Sequence, residues 1–113
     1  MVIRKNSTPV AVLLEQERFE LKAKSGGGVL SYEVWGFQDK GKTVVTRYNL
    51  AYINHGICAV DHGRVLGYDN SHGYHHRHFM GKDSPVEFVS YEDTLEKFQL
   101  EWQRLLKPKK GSS

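Results

Sequence analysis

Val29-Leu30-Ser31-Tyr32-Glu33-Val34-Trp35-Gly36-Phe37, then Asp39-Lys40-Gly41-Lys42, then Thr43-Val44-Val45-Thr46-Arg47-Tyr48-Asn49-Leu50-Ala51-Tyr52-Ile53 reads as strand, turn, strand. The second run is rich in β-branched and aromatic residues, which suit a pleated, half-buried surface, and it predicts a central strand. Upstream, Gly26-Gly27-Gly28 marks another reversal, because residues without a Cβ adopt the positive φ of hairpin connections. Before it, Val10/Val12/Leu14 and Phe19/Leu21/Ala23 alternate around a charged centre, Glu15 to Arg18, which predicts one long bent strand over 10–23. Downstream, Asn54-His55-Gly56 turns the chain, and Ile57 to Tyr68 reads as a fourth strand carrying a bulge or tight turn at Asp61-His62-Gly63. Val86 to Val89 is a short fifth candidate.

The pattern changes period at Ser90. This residue fits a helix N-cap, with Asp93 three positions on. Leu95, Phe98, Trp102, Leu105 and Leu106 then recur at helical spacing and form one apolar stripe on a helix over 91–106, which Pro108 stops. The expected architecture is α+β: an antiparallel β-meander of four to five strands packed against a C-terminal α-helix. Residues 1–8 are expected to be a flexible lead-in, 9–106 a single domain and 107–113 a basic flexible tail.

Composition sets the bounds. A chain of 113 residues, 39% hydrophobic and 26% charged, suits one soluble domain with a modest core. No apolar run approaches the roughly 20 residues that span a bilayer, so no membrane partner and a cytoplasmic location are expected. Cys58, alone and flanked by Ile57 and Ala59, reads as a buried small hydrophobe. Lys107, Lys109 and Lys110 account for the net charge of +3, leaving residues 1–106 neutral. Bulk charge therefore gives only weak attraction to phosphate.

All six histidines fall between His55 and His78. His55 and His62 sit beside glycines and read as turn residues. If residues 75–79 are extended, His76 and His78 project on one face while His75 and Arg77 face the other way. Two imidazoles on one face permit metal-free acid–base chemistry on RNA: one removes the 2′-hydroxyl proton, the other protonates the leaving 5′-oxygen, and Arg77 neutralises the phosphorane. Asp69 would fix one imidazole's tautomer, and Asn70, Arg47 and Arg64 are candidate phosphate contacts. The expected cofactor is none. Two other readings stay open: a His-x-His metal site completed by a carboxylate, and a non-catalytic protein-binding module presenting Trp35, Phe37, Tyr48 and Tyr52.

Tyr48-Asn49-Leu50-Ala51-Tyr52, Leu66-Gly67-Tyr68-Asp69-Asn70, His76-Arg77-His78 and a helix opening at Ser90 with Phe98 together resemble the TumE-type family of small toxins from bacterial toxin–antitoxin systems, over roughly residues 10–104. The specific part is Tyr-Asp-Asn followed within a few residues by His-x-His. The resemblance implies a toxin paired with a helix-turn-helix antitoxin and acting on nucleic acid, with RNA the suspected target. It assigns the presumed site to Asp69, Asn70, His76, Arg77 and His78.

Overall fold

The computed structural model describes residues 9–106; the lead-in expected over 1–8, the tail expected over 107–113 and the stop at Pro108 lie outside the described residues. Six strands follow in chain order: β1 (Val12–Glu20), β2 (Val29–Asp39), β3 (Lys42–Ile53), β4 (Arg64–Asp69), β5 (His76–Phe79) and β6 (Lys82–Pro85). They pair antiparallel with their sequence neighbours, in spatial order β1 to β6, and α1 (Tyr91–Leu106) follows the sheet. The fold is the expected α+β meander with one strand more than the four to five anticipated.

Turn chemistry explains where the strands end. Asp39 pairs with Lys42 across a two-residue turn in which Lys40 and Gly41 take φ of 52° and 80°. Positive φ at both central positions matches the twist of the flanking strands. The same geometry recurs at Met80 and Gly81, with φ of 51° and 87°, so Phe79 pairs with Lys82 and the last strand is Lys82–Pro85. The strand expected over 86–89 is therefore displaced. The strand expected over 57–68 is shortened for a related reason: Asp61, His62 and Gly63 all have positive φ, which no strand accommodates, and β4 begins at Arg64. At the other end, β1 stops at Glu20 rather than Ala23, and Ala23–Ser25 forms a 3-10 turn closed by Gly26 at φ 115°.

One face of the sheet carries the core. Leu30 and Tyr32 of β2, Tyr48, Leu50 and Tyr52 of β3, and Leu66 and Tyr68 of β4 are buried together with Phe98 of α1. Phe98 meets Tyr32 edge-on at 5.7 Å, and Leu95 and Trp102 pack beside it, as the apolar stripe requires. Tyrosine hydroxyls tie sheet to helix: Tyr32 donates to Gln99 at 2.9 Å and Tyr68 to Glu101 at 2.7 Å. Cys58 is buried, and its thiol donates to the Val60 carbonyl. No helix among the described residues is long and apolar enough to cross a membrane.

Ser90 caps α1 by accepting the Asp93 N–H on its hydroxyl at 3.0 Å. Ser90→Ala should cost about 1 kcal/mol and lower the midpoint of thermal unfolding by several degrees. An unchanged midpoint would show that another group satisfies that N–H.

Candidate acid–base site

The second face of the sheet is polar and lies opposite α1; the turn at Ser71–Gly73 and Tyr74, whose ring stacks on His76 at 4.8 Å, cover its β4–β5 end. Strand register builds the face in two rows. Gln16, Glu33, Asn49, Asp69 and His76 are successive cross-strand neighbours from β1 to β5, and Arg18, Ser31, Ala51, Gly67 and His78 form the next row, ending at Asp83 on β6. Period-two alternation makes this possible: the residues between these positions face α1.

Asp69 is the hub of the face. It is 4% exposed, and its carboxylate accepts from His78 Nε2 at 2.9 Å and Arg64 Nη1 at 3.3 Å through one oxygen. Through the other it accepts from the Ser71 hydroxyl at 2.9 Å and the Ser71 N–H at 3.2 Å, with His76 Nε2 also 2.9 Å away. His76 Nε2 lies within 3.2 Å of the Ser71 carbonyl as well. The two imidazoles stand 4.7 Å apart, inclined at 60°. Arg64 makes a fork onto Asp61 at 2.9 and 3.1 Å and reaches His78 Nδ1 at 3.3 Å. Gly67 leaves room for this: a Cβ there would lie 2.6 Å from Arg64 Cδ.

These contacts assign protons. A carbonyl only accepts and a guanidinium only donates, so Nε2 carries the hydrogen in His76, while Nδ1 of His78 is an acceptor and its Nε2 donates to Asp69. The nitrogen turned away from Asp69 is thus Nδ1 in both rings, and in His78 it accepts from Arg64. In His76 that atom is buried, has no hydrogen-bond partner among the described residues, and lies 3.7 Å from an Asp83 oxygen. Burial works against the ionised form of Asp69, yet the Ser71 hydrogen bonds and the two imidazoles outweigh it and hold the carboxyl below its ordinary value. The carboxylate stays charged and available to stabilise an imidazolium.

Asp69, His76, His78 and Arg64 therefore converge, whereas three other candidates do not. Arg77 points to the helix side, where it forks onto Glu101 at 3.2 and 2.8 Å and lies over the Phe79 ring; it is not the charge stabiliser of this cluster. Asn70 accepts the Tyr48 N–H and donates to the Thr46 carbonyl, both at 3.0 Å, so it extends the β3 ladder instead of offering its amide to phosphate. Arg47 lies over the Trp35 ring at 5.6 Å and touches none of the cluster. Of the aromatics assigned to protein binding, Tyr48 and Tyr52 are 2% and 0% exposed and belong to the core.

The remaining histidines have local roles. His55 packs over Gly63, where a Cβ would meet the ring at 2.7 Å, and His72 sits in a turn at φ 66°. His75 stacks on Phe88 at 3.8 Å and contacts the Tyr48 hydroxyl at 2.8 Å. Burial, and secondarily the neighbouring His76, depress its basicity below the ordinary value of 6.5. A histidine so depressed binds fewer protons folded than unfolded. Its contribution to stability is complete above pH 6.5 and is lost as pH falls from there through the folded value. His75→Phe keeps the stack without titrating, so its thermal midpoint should decline less than the wild type's between about pH 7.5 and 5. Equal slopes would remove His75 as the cause.

Ser71, Asp61 and Asp83 were missed by sequence reasoning, since turn residues and a strand-end acid carry no periodic signal. Beside the cluster, and sharing Arg64, runs an open groove of about 650 Å³ lined by Gln16, Arg18, Ser31, Glu33, Asn49 and Ala51 among others. One ligand atom each from Asp69, His76 and His78 lie within 4.8 Å of one another, a set from which zinc or iron is commonly held. No family model, curated protein or solved structure matches the chain.

Proposed function

We propose that Asp69, His76, His78 and Arg64 form the acid–base centre of a metal-independent ribonuclease, the toxin of a toxin–antitoxin pair working in the cytoplasm with a helix-turn-helix antitoxin as its protein partner. The observation that carries this is one buried carboxylate contacting the Nε2 atoms of two imidazoles at 2.9 Å each, beside a groove open to solvent. The likeness of Tyr68-Asp69-Asn70 and His76-Arg77-His78 to the TumE-type motif supplies the toxin and the antitoxin.

The chemistry follows from the proton assignment. A substrate phosphate draws the Arg64 guanidinium to itself and frees His78 Nδ1. That nitrogen takes the 2′-hydroxyl proton, and the 2′-oxygen forms a bond to phosphorus. Arg64 offsets the charge on the phosphorane, replacing the Arg77 expected from sequence. His76, uncovered as the exposed Tyr74 ring stacked on it moves aside, gives its Nδ1 proton to the 5′-oxygen as the P–O5′ bond breaks, leaving a 2′,3′-cyclic phosphate. Asp69 holds both rings at Nε2 and stabilises whichever is charged.

His76→Ala and His78→Ala should each lower RNA cleavage by about 10²- to 10⁴-fold and relieve the growth arrest caused by expressing the protein. Full cleavage by either variant would remove the acid–base reading. The ligand geometry favours one second reading, a divalent metal on Asp69, His76 and His78. It requires stoichiometric metal in untagged protein and activity lost to chelator. Metal-free, chelator-resistant cleavage would remove it.

A further inference from the structure

Resting on that reading, we infer that the groove on the open face is a guanine-selective base site, with Glu33 as the residue that chooses the base. The floor is flat. Ser31 and Ala51 are direct cross-strand neighbours on β2 and β3, so between them no bulky side chain rises where a planar ring would lie, and the Arg64 stem, which lies across Gly67 on β4, closes that end of the floor. At about 650 Å³ the groove is within the size range of small-ligand sites and accommodates a nucleoside monophosphate.

The wall beside that floor carries the recognition chemistry. Glu33 and Asn49 are register partners, which sets their Cβ atoms about 5 Å apart on the same face. Glu33 receives a hydrogen bond from Gln16 on one oxygen at 3.3 Å and has no ion-pair partner among the described residues; the Asn49 amide is likewise unengaged there. A carboxylate accepts two parallel N–H bonds. Among the four RNA bases only guanine presents adjacent donors, N1–H and the 2-amino group, on its Watson–Crick edge; adenine has one donor beside an acceptor, cytosine one donor beside two acceptors, and uracil one donor between two acceptors. The Asn49 amide then donates to guanine O6, which lies next to N1.

The groove is also in position to serve the chemical step. Asn49 is the register partner of Asp69, and Arg64 borders both groove and cluster. Glu33 and Asp69 are two strand spacings apart, roughly 10 Å, a separation one nucleotide bridges from base to phosphate. Arg18, exposed on β1 at the far side of the floor, is placed for a neighbouring phosphate.

Calorimetric titration with guanosine, inosine and adenosine 3′-monophosphates tests this without requiring turnover. Wild-type protein should bind the guanosine compound tightest, and inosine should lose affinity because it lacks the 2-amino donor. Glu33→Gln should weaken the guanosine compound by roughly 5- to 150-fold and leave adenosine unchanged. Ser31→Leu, which raises a side chain through the floor, should weaken all three. Equal affinity of the wild type for the three, or a guanine preference that survives Glu33→Gln, overturns the inference. Guanine preference in a protein that leaves RNA intact upholds the groove and removes the ribonuclease; cleavage without base preference does the reverse.

Discussion

Replacing Asp69 with alanine is expected to remove about 3–5 kcal/mol of folding stability, a large part of the roughly 5–15 kcal/mol that a small domain holds. The reason is what the change leaves behind. Four hydrogen-bond donors, from His78, Arg64 and both donors of Ser71, lose their acceptor together, and His76 loses its charge partner. His76 and His78 are 3% and 9% exposed, so water reaches the orphaned rings poorly. A buried donor without a partner costs more than its bond contributed. Arg64 keeps its fork onto Asp61, and Ser71 is exposed to water, so the cost falls mainly on the two rings. Urea unfolding should show the loss as a lower midpoint with an unchanged slope, and cleavage should vanish with it. The pH dependence has a definite sign: with its carboxyl below the ordinary 3.8, Asp69 contributes fully above that pH and loses its contribution as pH falls through the folded value. A variant within about 0.5 kcal/mol of wild type would mean that Asp69 is not the hub.

The hairpins and helix were legible because they are local. Lys40-Gly41 between two β-rich runs, and an apolar stripe opening at a serine, each carry their physics within a few residues. Where the expectation slipped, the deciding feature was a backbone state rather than a pattern: Asp61-His62-Gly63 is the tight turn the sequence marks, but positive φ at all three ends the strand there, and Met80 takes positive φ although a methionine carries no turn signal. The site divided along the same line. His76 and His78 sharing a face follows from period two, and Arg77 facing the other way follows equally, although the chemistry expected from sequence assigns it a place beside them. Arg64 joins Asp69 only because a register shift in β4 and a glycine at 67 let its stem lie across the strand. Asn70 looked like a phosphate ligand, since nothing in a sequence reveals that an amide will complete the ladder of a strand 22 residues away. Glu33 and Asn49 were invisible as partners until the register was fixed.

Phe98→Ala should produce a comparable loss by a different route, about 3–5 kcal/mol. Phe98 is 0% exposed, and its ring fills the space between α1 and the tyrosines of β2 and β3. Truncation removes apolar area from the core and opens a cavity that a rigid sheet on one side cannot close. Its consequences should differ from those of Asp69→Ala in one respect. Phe98 lies on the helix face and the acid–base cluster on the opposite face, separated by the sheet itself, so molecules that remain folded should cleave RNA at the wild-type rate. With no shared contacts, the two losses should add in the double variant to within about 0.5 kcal/mol. Cleavage per folded molecule, measured well below the midpoint of unfolding, decides the matter. If Phe98→Ala lowers that rate, the helix packing helps to set the positions of His76 and His78, and the two faces do not act independently.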